Sequence, residues 1–324
     1  MFKTRITEMF GIKYPIIQGA LLWLSRAELV AAVSNAGGLG ILSALTFPTA
    51  EELRKEIKKT RSLTDKPFAV NITLLPTIRA VDYQRHIDVA LEEGVKIIET
   101  AGRSPEPYIK QLKDAKVKVM HKVARVRNAK TVERLGVDAV TIVGFEAAGH
   151  PGMDEVTSLV LVPITVDALK IPVIAGGGIG DGRGFAAALA LGAEGVLMGT
   201  RFMASKECLL HPKIARWMVN ARETDTLMIE RSIKNAARVM KTEFSQMVLE
   251  IEEKGATLEE LLPFISGDRS KQSYISGDVN DGVIACGQVI GLIHELPSVK
   301  EIIDGIINEA GLIAKRLHKM GTSA

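Results

Sequence analysis

The sequence predicts an α/β fold of the closed (β/α)8 class: a TIM barrel with a helical lid subdomain inserted towards its C-terminal end. Three observations predict it. Eight short runs rich in Val, Ile and Leu alternate with helix-compatible segments. The runs are apolar on both faces, as parallel strands covered by crossover helices must be. The last two end in bare glycine, at Val173-Ile174-Ala175-Gly176-Gly177-Gly178-Ile179-Gly180-Asp181-Gly182 and at Gly199-Thr200-Arg201. Glycine at a strand's carboxyl end leaves backbone N–H groups unshielded beside a helix start, where amides and the helix dipole favour an anion. Two such ends side by side make a phosphate cup, which parallel barrels usually build after strands seven and eight.

Taken in order, the strands are expected over 15–21, 38–44, 68–74, 96–101, 117–123, 138–143, 172–177 and 195–200. Between them, 49–60 reads as a helix capped by Thr49, with Glu52 completing a capping box, and 126–135 as a helix stopped by Gly136. An open Rossmann sheet would need G-x-G-x-x-G after an early strand. Gly37-Gly38-Leu39-Gly40 lacks the third glycine, and the cluster at 176–182 comes too late. After Arg201 long helical patterns follow over 212–222, 229–254, 257–266 and 298–319, broken by a polar loop at Ser266–Ser270 and a glycine-bearing stretch around 277–291. Residues 1–209 and 296–324 are assigned to the barrel and 210–295 to the lid, with the last helix returning to pack on the barrel.

The chain of 324 residues is 47% hydrophobic and 24% charged, with a net charge of +3 and no arginine-rich block, which argues against a nucleic-acid partner. Two cysteines, Cys208 and Cys286, and six histidines without ligand spacing imply no metal and fit a reducing compartment. No apolar run approaches the roughly 20 residues of a membrane span, and the N-terminus has no apolar signal core. A cytoplasmic protein acting on a small molecule is expected; homo-oligomerisation is left open.

In such barrels the site lies at the carboxyl ends of the strands. Lys122, at the end of the fifth, can point inward and stabilise an anion. His150, in Gly149-His150-Pro151-Gly152 just after the sixth, is a loop histidine able to accept a proton near neutral pH. His121 is the weaker candidate, because strand alternation turns one of the pair 121–122 away from the mouth. Trp23, just past the first strand, is a candidate wall of the pocket.

Six motifs together resemble the nitronate monooxygenase family, long called 2-nitropropane dioxygenase-like: Tyr14-Pro15-Ile16-Ile17-Gln18-Gly19-Ala20, Asn35-Ala36-Gly37-Gly38-Leu39-Gly40, Lys66-Pro67-Phe68-Ala69-Val70-Asn71-Ile72-Thr73, Ala148-Gly149-His150-Pro151-Gly152, the 174–182 run, and Met198-Gly199-Thr200-Arg201-Phe202. The resemblance covers essentially the whole chain and implies FMN. It places Ala20, Leu21 and Leu22 along the flavin ring, Thr73 and Lys122 at its polar edge, Gly149 beside it, and Gly176, Gly177, Gly178, Gly199 and Thr200 at the phosphate. His150 takes the place of the family's active-site histidine. Two positions depart from the family pattern: Gly19-Ala20-Leu21 stands for the usual Gly-Gly-Met, and Val143 for a frequent acidic residue. The resemblance implies oxidation of alkyl nitronates with O2. One alternative is an NAD(P)H:quinone reductase on the same FMN site, which the 121–129 and 144–152 stretches resemble most. Further alternatives are an enoyl-acyl-carrier-protein reductase and a non-catalytic flavin sensor. A guanylate-pathway type of NAD-dependent barrel would need a nucleophilic cysteine after the sixth strand, where Gly149-His150-Pro151-Gly152 stands instead.

Overall fold

The computed structural model describes residues 2–75 and 81–322. Eight strands are present where alternation places them: β1 (Ile16–Gln18), β2 (Gly40–Ser43), β3 (Phe68–Leu74), β4 (Ile97–Gly102), β5 (Lys118–Val123), β6 (Ala139–Val143), β7 (Val173–Gly176) and β8 (Gly195–Met198). All pair in parallel in the order β1-β8-β7-β6-β5-β4-β3-β2, and a parallel bridge between Ile17 and Leu39 brings the first strand back to the second, closing the barrel. That closing seam is short. Buried Gln18 reinforces it, its Oε1 accepting from the Ile41 amide at 3.1 Å and its Nε2 donating to Ser25 Oγ at 2.8 Å. Gln18 is thus a tie between strands and does not face the mouth.

The barrel's helices are α1 (Arg5–Phe10), α2 (Ala27–Asn35), α3 (Ala50–Leu63), α4 (Tyr83–Glu92), α5 (Glu106–Asp114), α6 (Val126–Leu135), α7 (Ser158–Ala168) and α8 (Gly182–Ala190). α3 starts with the expected capping box of Thr49 and Glu52, and α6 stops at Gly136, whose φ of 93° is open to glycine at little cost. α1 closes the amino end: Ile6, Phe10 and Ile12 share one apolar cluster with Ile17, Ile41, Ala69, Ile97, Met120, Ala139, Ile174 and Leu197 from the strands. These strand residues therefore define the inward face. Their neighbours of opposite parity, such as Val70, Ile98, Val119 and Val140, belong to the larger cluster between strands and helices. Gly38 and Gly40 lie at the amino end too. A Cβ on Gly40 would lie 2.2 Å from the Val30 carbonyl oxygen, so Gly40 packs α2 on β2.

Beyond β8 the chain forms α9 (Thr200–Met203), α10 (Pro212–Asn220), β9 (Thr226–Ile229), β10 (Ala237–Met240), α11 (Glu243–Glu253), α12 (Leu258–Ile265), α13 (Gly267–Ser276) and α14 (Val299–Gly321). Two expectations are corrected here. The single helix over 229–254 is instead the end of an antiparallel hairpin, a turn and α11. Apolar residues at 229, 233, 236 and 237 imitate helical spacing, but Glu230 and Lys234 sit at positive φ (63° and 58°), which breaks any helix there. The polar loop at Ser266–Ser270 is the N-cap and first turn of α13, Ser266 Oγ accepting from the Arg269 amide at 3.3 Å. Serine and aspartate are as much helix starters as loop formers. The last helix does return to the barrel: Ile302, Ile303 and Ile306 join its main core, and Glu309 accepts from the Gly182 amide at 2.7 Å. Gly182 is consequently a packing glycine, since a Cβ there would lie 2.7 Å from the Ile306 carbonyl.

Candidate active site

Two residues beyond the apolar inward tier, towards the carboxyl ends, the strand interior changes chemistry. Ile17, Ile41, Ala69 and Ile97 are followed at that spacing by Gly19, Ser43, Asn71 and Glu99; Met120, Ala139, Ile174 and Leu197 by Lys122, Thr141, Gly176 and Gly199. Period-two alternation thus sets a polar and glycine tier on a greasy floor. Glycine gathers on one side of the ring of strands and polar side chains on the other.

On the glycine side, Gly177 and Gly178 have φ of 94° and 73°, and neither amide donates to another group among the described residues. A Cβ on Gly177 would come 3.1 Å from both the Gly144 carbonyl and Ser158 Oγ. The first amides of α9 start at Thr200, whose Oγ1 accepts from the Gly287 amide at 3.0 Å and so keeps its proton to donate. Leu21 packs here, 3.4 Å from where a Cβ on Gly199 would lie. Free amides, a helix start and an available hydroxyl are the donor set a phosphate requires, so the residues present fit a phosphorylated cofactor. Three contributors could not be read from sequence. Glu146 turns its carboxylate onto the α7 start, accepting from the Ser158 amide at 3.0 Å, which keeps its charge on that helix's dipole. Ser158 Oγ bonds the Gly177 carbonyl at 3.0 Å, and the Gln288 amide donates to the Glu146 carbonyl at 3.0 Å. They are brought in by a loop and by the first residues of two helical segments, where sequence carries no periodicity.

On the polar side, half-buried Lys122 faces inward with no carboxylate in ion-pair reach among the described residues. Thr73 Oγ1 donates to Asn71 Oδ1 at 2.8 Å. His121 points the other way, onto Thr100 Oγ1 at 2.8 Å, and burial together with the Lys122 charge lowers its pKa to about 4. Alternation had separated these two neighbours correctly.

His150 is held by the hairpin. Its Nδ1 lies 3.0 Å from the Asn235 carbonyl oxygen and 3.3 Å from that of Ala236. Carbonyl oxygens only accept, so Nδ1 carries the proton and Nε2, without a partner among the described residues, carries the lone pair. Part of the residue meets solvent, yet the cleft wall removes enough water to lower its pKa, the Lys122 charge adding to this and the two carbonyls opposing it. The lowered pKa favours the neutral ring, whose lone pair then lies at Nε2. Arg238 fastens the same loop: its backbone exchanges hydrogen bonds with Gly149 (2.7 and 3.1 Å), its Nε donates to the Phe145 carbonyl at 3.1 Å, and its guanidinium stacks 4.6 Å from the Phe145 ring centroid. Leu22 is 38% exposed and faces Gly267 of the insert, while Ala20 is half-buried beside it. Trp23 donates from Nε1 to the Gly267 carbonyl at 2.8 Å, tying the first loop to α13.

Other chemistries find no support. Cys208 and Cys286 are buried, and burial pushes the Cys208 thiol up to about 12. No group of metal-ligating side chains occurs among the described residues, and no helix there is long and apolar enough to cross a membrane.

The parallel barrel sets free amides on one side of its mouth and a lysine and a histidine on the other, and its family and relatives place it among the oxidoreductases. The model of the nitronate monooxygenase family matches residues 3–78 and 75–309, and the chain belongs to that family, whose members are in general flavin-dependent. A curated relative from Rhodococcus jostii, (3aS,4S,5R,7aS)-5-hydroxy-7a-methyl-1-oxo-octahydro-1H-indene-4-carboxyl-CoA dehydrogenase, is 35% identical over 98% of each chain. A probable nitronate monooxygenase from Staphylococcus aureus is 34% identical over 77% of this chain and 81% of its own. Among solved structures, FabK from Thermotoga maritima superposes with a TM-score of 0.93 at 38% identity, covering 99% of this chain and all of that one.

Proposed function

We propose that the chain is an FMN-dependent oxidoreductase that takes electrons from alkyl nitronates and passes them to O2. FMN, when bound, supplies the redox chemistry. The amides of Gly177, Gly178, Gly199 and Thr200, with Gly176 beneath them, hold its phosphate. Ala20, Leu21 and Leu22 wall its ring, and Thr73 and Lys122 meet its polar edge, where the lysine charge favours an anionic reduced form. Gly149 has nothing within 4 Å of where a Cβ would lie, which leaves room for the ring to approach backbone. Residues 210–295 act as the lid, with their own apolar cluster at Ile229, Val239, Phe244, Val248 and Leu261.

The observation that carries this reading is the His150 tautomer. A neutral ring with its lone pair at Nε2 can take a proton from the carbon beside a nitro group, and the anion so formed is the nitronate. The Asn235 and Ala236 carbonyls then hold Nδ1–H in place and favour the cationic ring.

A second reading is favoured by the relatives. The Rhodococcus dehydrogenase, named for a CoA thioester, aligns over more of this chain than the nitronate relative does. The α-carbon of a thioester is also a carbon acid, and the same Nε2 could serve it, with NADH or NADPH as the co-substrate in the reducing direction. Reduction of a quinone by NAD(P)H draws on the same site.

The test is anaerobic mixing of purified protein with a nitroalkane, its preformed nitronate, NADH or NADPH, followed by an enoyl thioester or a quinone, while flavin absorbance is recorded. Bleaching by the nitronate and recovery with O2 is expected. Bleaching by NAD(P)H alone, with recovery on thioester or quinone, would replace the first reading by the second.

A further inference from the structure

One carboxyl group inside the barrel has no part in the chemistry above. Glu99, on the inward face of β4, is 0% exposed. Its Oε2 accepts a hydrogen bond of 2.6 Å from Asn71 Nδ2, and its Oε1 is buried with no partner among the described residues. The groups facing it are Asn71 from β3, apolar Met120 opposite it on β5, and Lys122 one inward position further along β5. Thr141 Oγ1, on the inward face of β6, is likewise buried and unpartnered.

A carboxylate in such a place, with one hydrogen bond and no ion pair among the described residues, is costly; a protonated carboxyl, even with its O–H unpaired, costs far less. Burial pushes the Glu99 pKa up, against smaller opposing effects of Lys122 and the Asn71 amide. The hydrogen bonds also have a direction. Because Glu99 Oε2 accepts from the Asn71 nitrogen, the Asn71 oxygen is turned to Thr73, whose hydroxyl donates to it. A hydroxyl whose proton is committed inward offers only lone pairs to the mouth.

We propose that Glu99 is a positioning residue that stays protonated beneath the cofactor: it fixes the Thr73–Asn71 relay so that Thr73 accepts a ring N–H, and it leaves the Lys122 charge uncancelled. An ionised Glu99 would set a negative charge in the same interior as Lys122 and weaken the positive potential that an anionic reduced ring needs. This role rests on the flavin reading above.

The test combines three measurements. The infrared difference spectrum of wild-type minus Glu99→Gln protein at pH 7, with or without cofactor, should show the carbonyl band of a protonated carboxylic acid, because the partly protonated Glu230 contributes equally to both and cancels. The flavin midpoint potentials of wild type and Glu99→Gln should run together at neutral pH and separate at alkaline pH, where the wild type falls lower. Glu99→Leu should weaken FMN binding by about tenfold, and adding Thr73→Val should cost little more, because both act through one relay. No band, together with a Glu99→Gln potential above wild type at neutral pH, would show an ionised Glu99 and overturn the role, as would fully additive losses. Absence of bound flavin in wild type would overturn the proposed function and this role with it. Bound flavin without the band would overturn this role alone.

Discussion

The barrel and the inserted residues 210–295 are built differently, and the candidate site lies where they meet. In the barrel, one rule sets the position of nearly every site group: apolar floor, then a polar or glycine tier two residues on. The insert follows no such rule. Ile214, Met218, Met240, Ile284 and Ile290 of the insert join the barrel's main core, while its hairpin and α11 keep a small apolar cluster of their own and meet the mouth through the Gly149–Arg238 backbone pair and the Arg238 stack on Phe145, with the Trp23–Gly267 hydrogen bond tying in α13. The barrel thus fixes where the lysine charge and the free amides lie, while the insert holds Nδ1 of a histidine that the barrel supplies.

The strongest way to break this division is at Gly177. Valine there must adopt a φ of 94°, strained for any side chain and worst for a β-branched one, and its Cβ would press on the Gly144 carbonyl. The Gly177→Val protein should keep its fold and lose FMN by at least about 100-fold in affinity, the scale set by a steric block added to a few kcal/mol of strain. Equilibrium dialysis against FMN, alongside circular dichroism, checks both halves; full flavin retention would detach the cup from the cofactor.

His150→Asn tests the contribution of the seam. A general base typically supplies 10²- to 10⁴-fold, so activity on a neutral nitroalkane should fall by about 100-fold or more while the preformed nitronate is still oxidised. Equal losses on both would mean that His150 only positions substrate. Flavin reduction by NADH needs no protein base, and its rate should stay within about tenfold of wild type.

How much was legible follows the same line. The eight strands were legible as apolar runs between helical segments, and the inward turn of Lys122 over His121 as strand alternation, because a closed parallel barrel enforces both; the glycine cup was expected from glycine at the last two strand ends. The hairpin at 226–240 was missed, since short apolar spacings suit either helix or strand and only Glu230 and Lys234, at positive φ, break the tie. Glu146, Ser158 and Arg238 were missed for another reason: each acts across a loop contact that links distant parts of the chain, and no local pattern encodes it.

Arg238→Met should loosen the seam without touching either core. It removes hydrogen bonds to the Phe145 carbonyl and to Thr226 Oγ1 (3.1 Å) and the stack on Phe145, but leaves the backbone pair with Gly149. Losing bonds of this kind costs about 1–3 kcal/mol locally, so the Gly149 and Arg238 amides should exchange roughly tenfold faster or more. Strand amides of the barrel should exchange as in wild type; if they accelerate equally, insert and barrel unfold as one unit.

The smallest expected effect sharpens the comparison most, because it titrates the insert alone. Glu230 is buried in the hairpin turn. Its amide donates to Glu252 at 2.7 Å, and its Oε2 accepts from Asn235 Nδ2 at 2.6 Å. Burial, with a smaller push from the Glu252 charge, raises its pKa from 4.5 to about 7. An acid whose folded pKa lies above its unfolded value binds its proton more tightly when folded, so stability falls as pH rises from about 4.5 to about 7 and then levels off. The cost is a few kcal/mol at most. Glu230→Gln keeps an acceptor for Asn235 and removes the charge, so its hairpin should resist proteolysis equally at pH 5 and pH 8, whereas the wild-type hairpin should be cut faster at pH 8. Asn235 also supplies the carbonyl that holds His150. The same pH step should therefore weaken the hold on the Nδ1 proton in wild type and not in the variant, which nitrogen-15 shifts of that ring would report; parallel behaviour of the two proteins would show that the turn does not couple to the base.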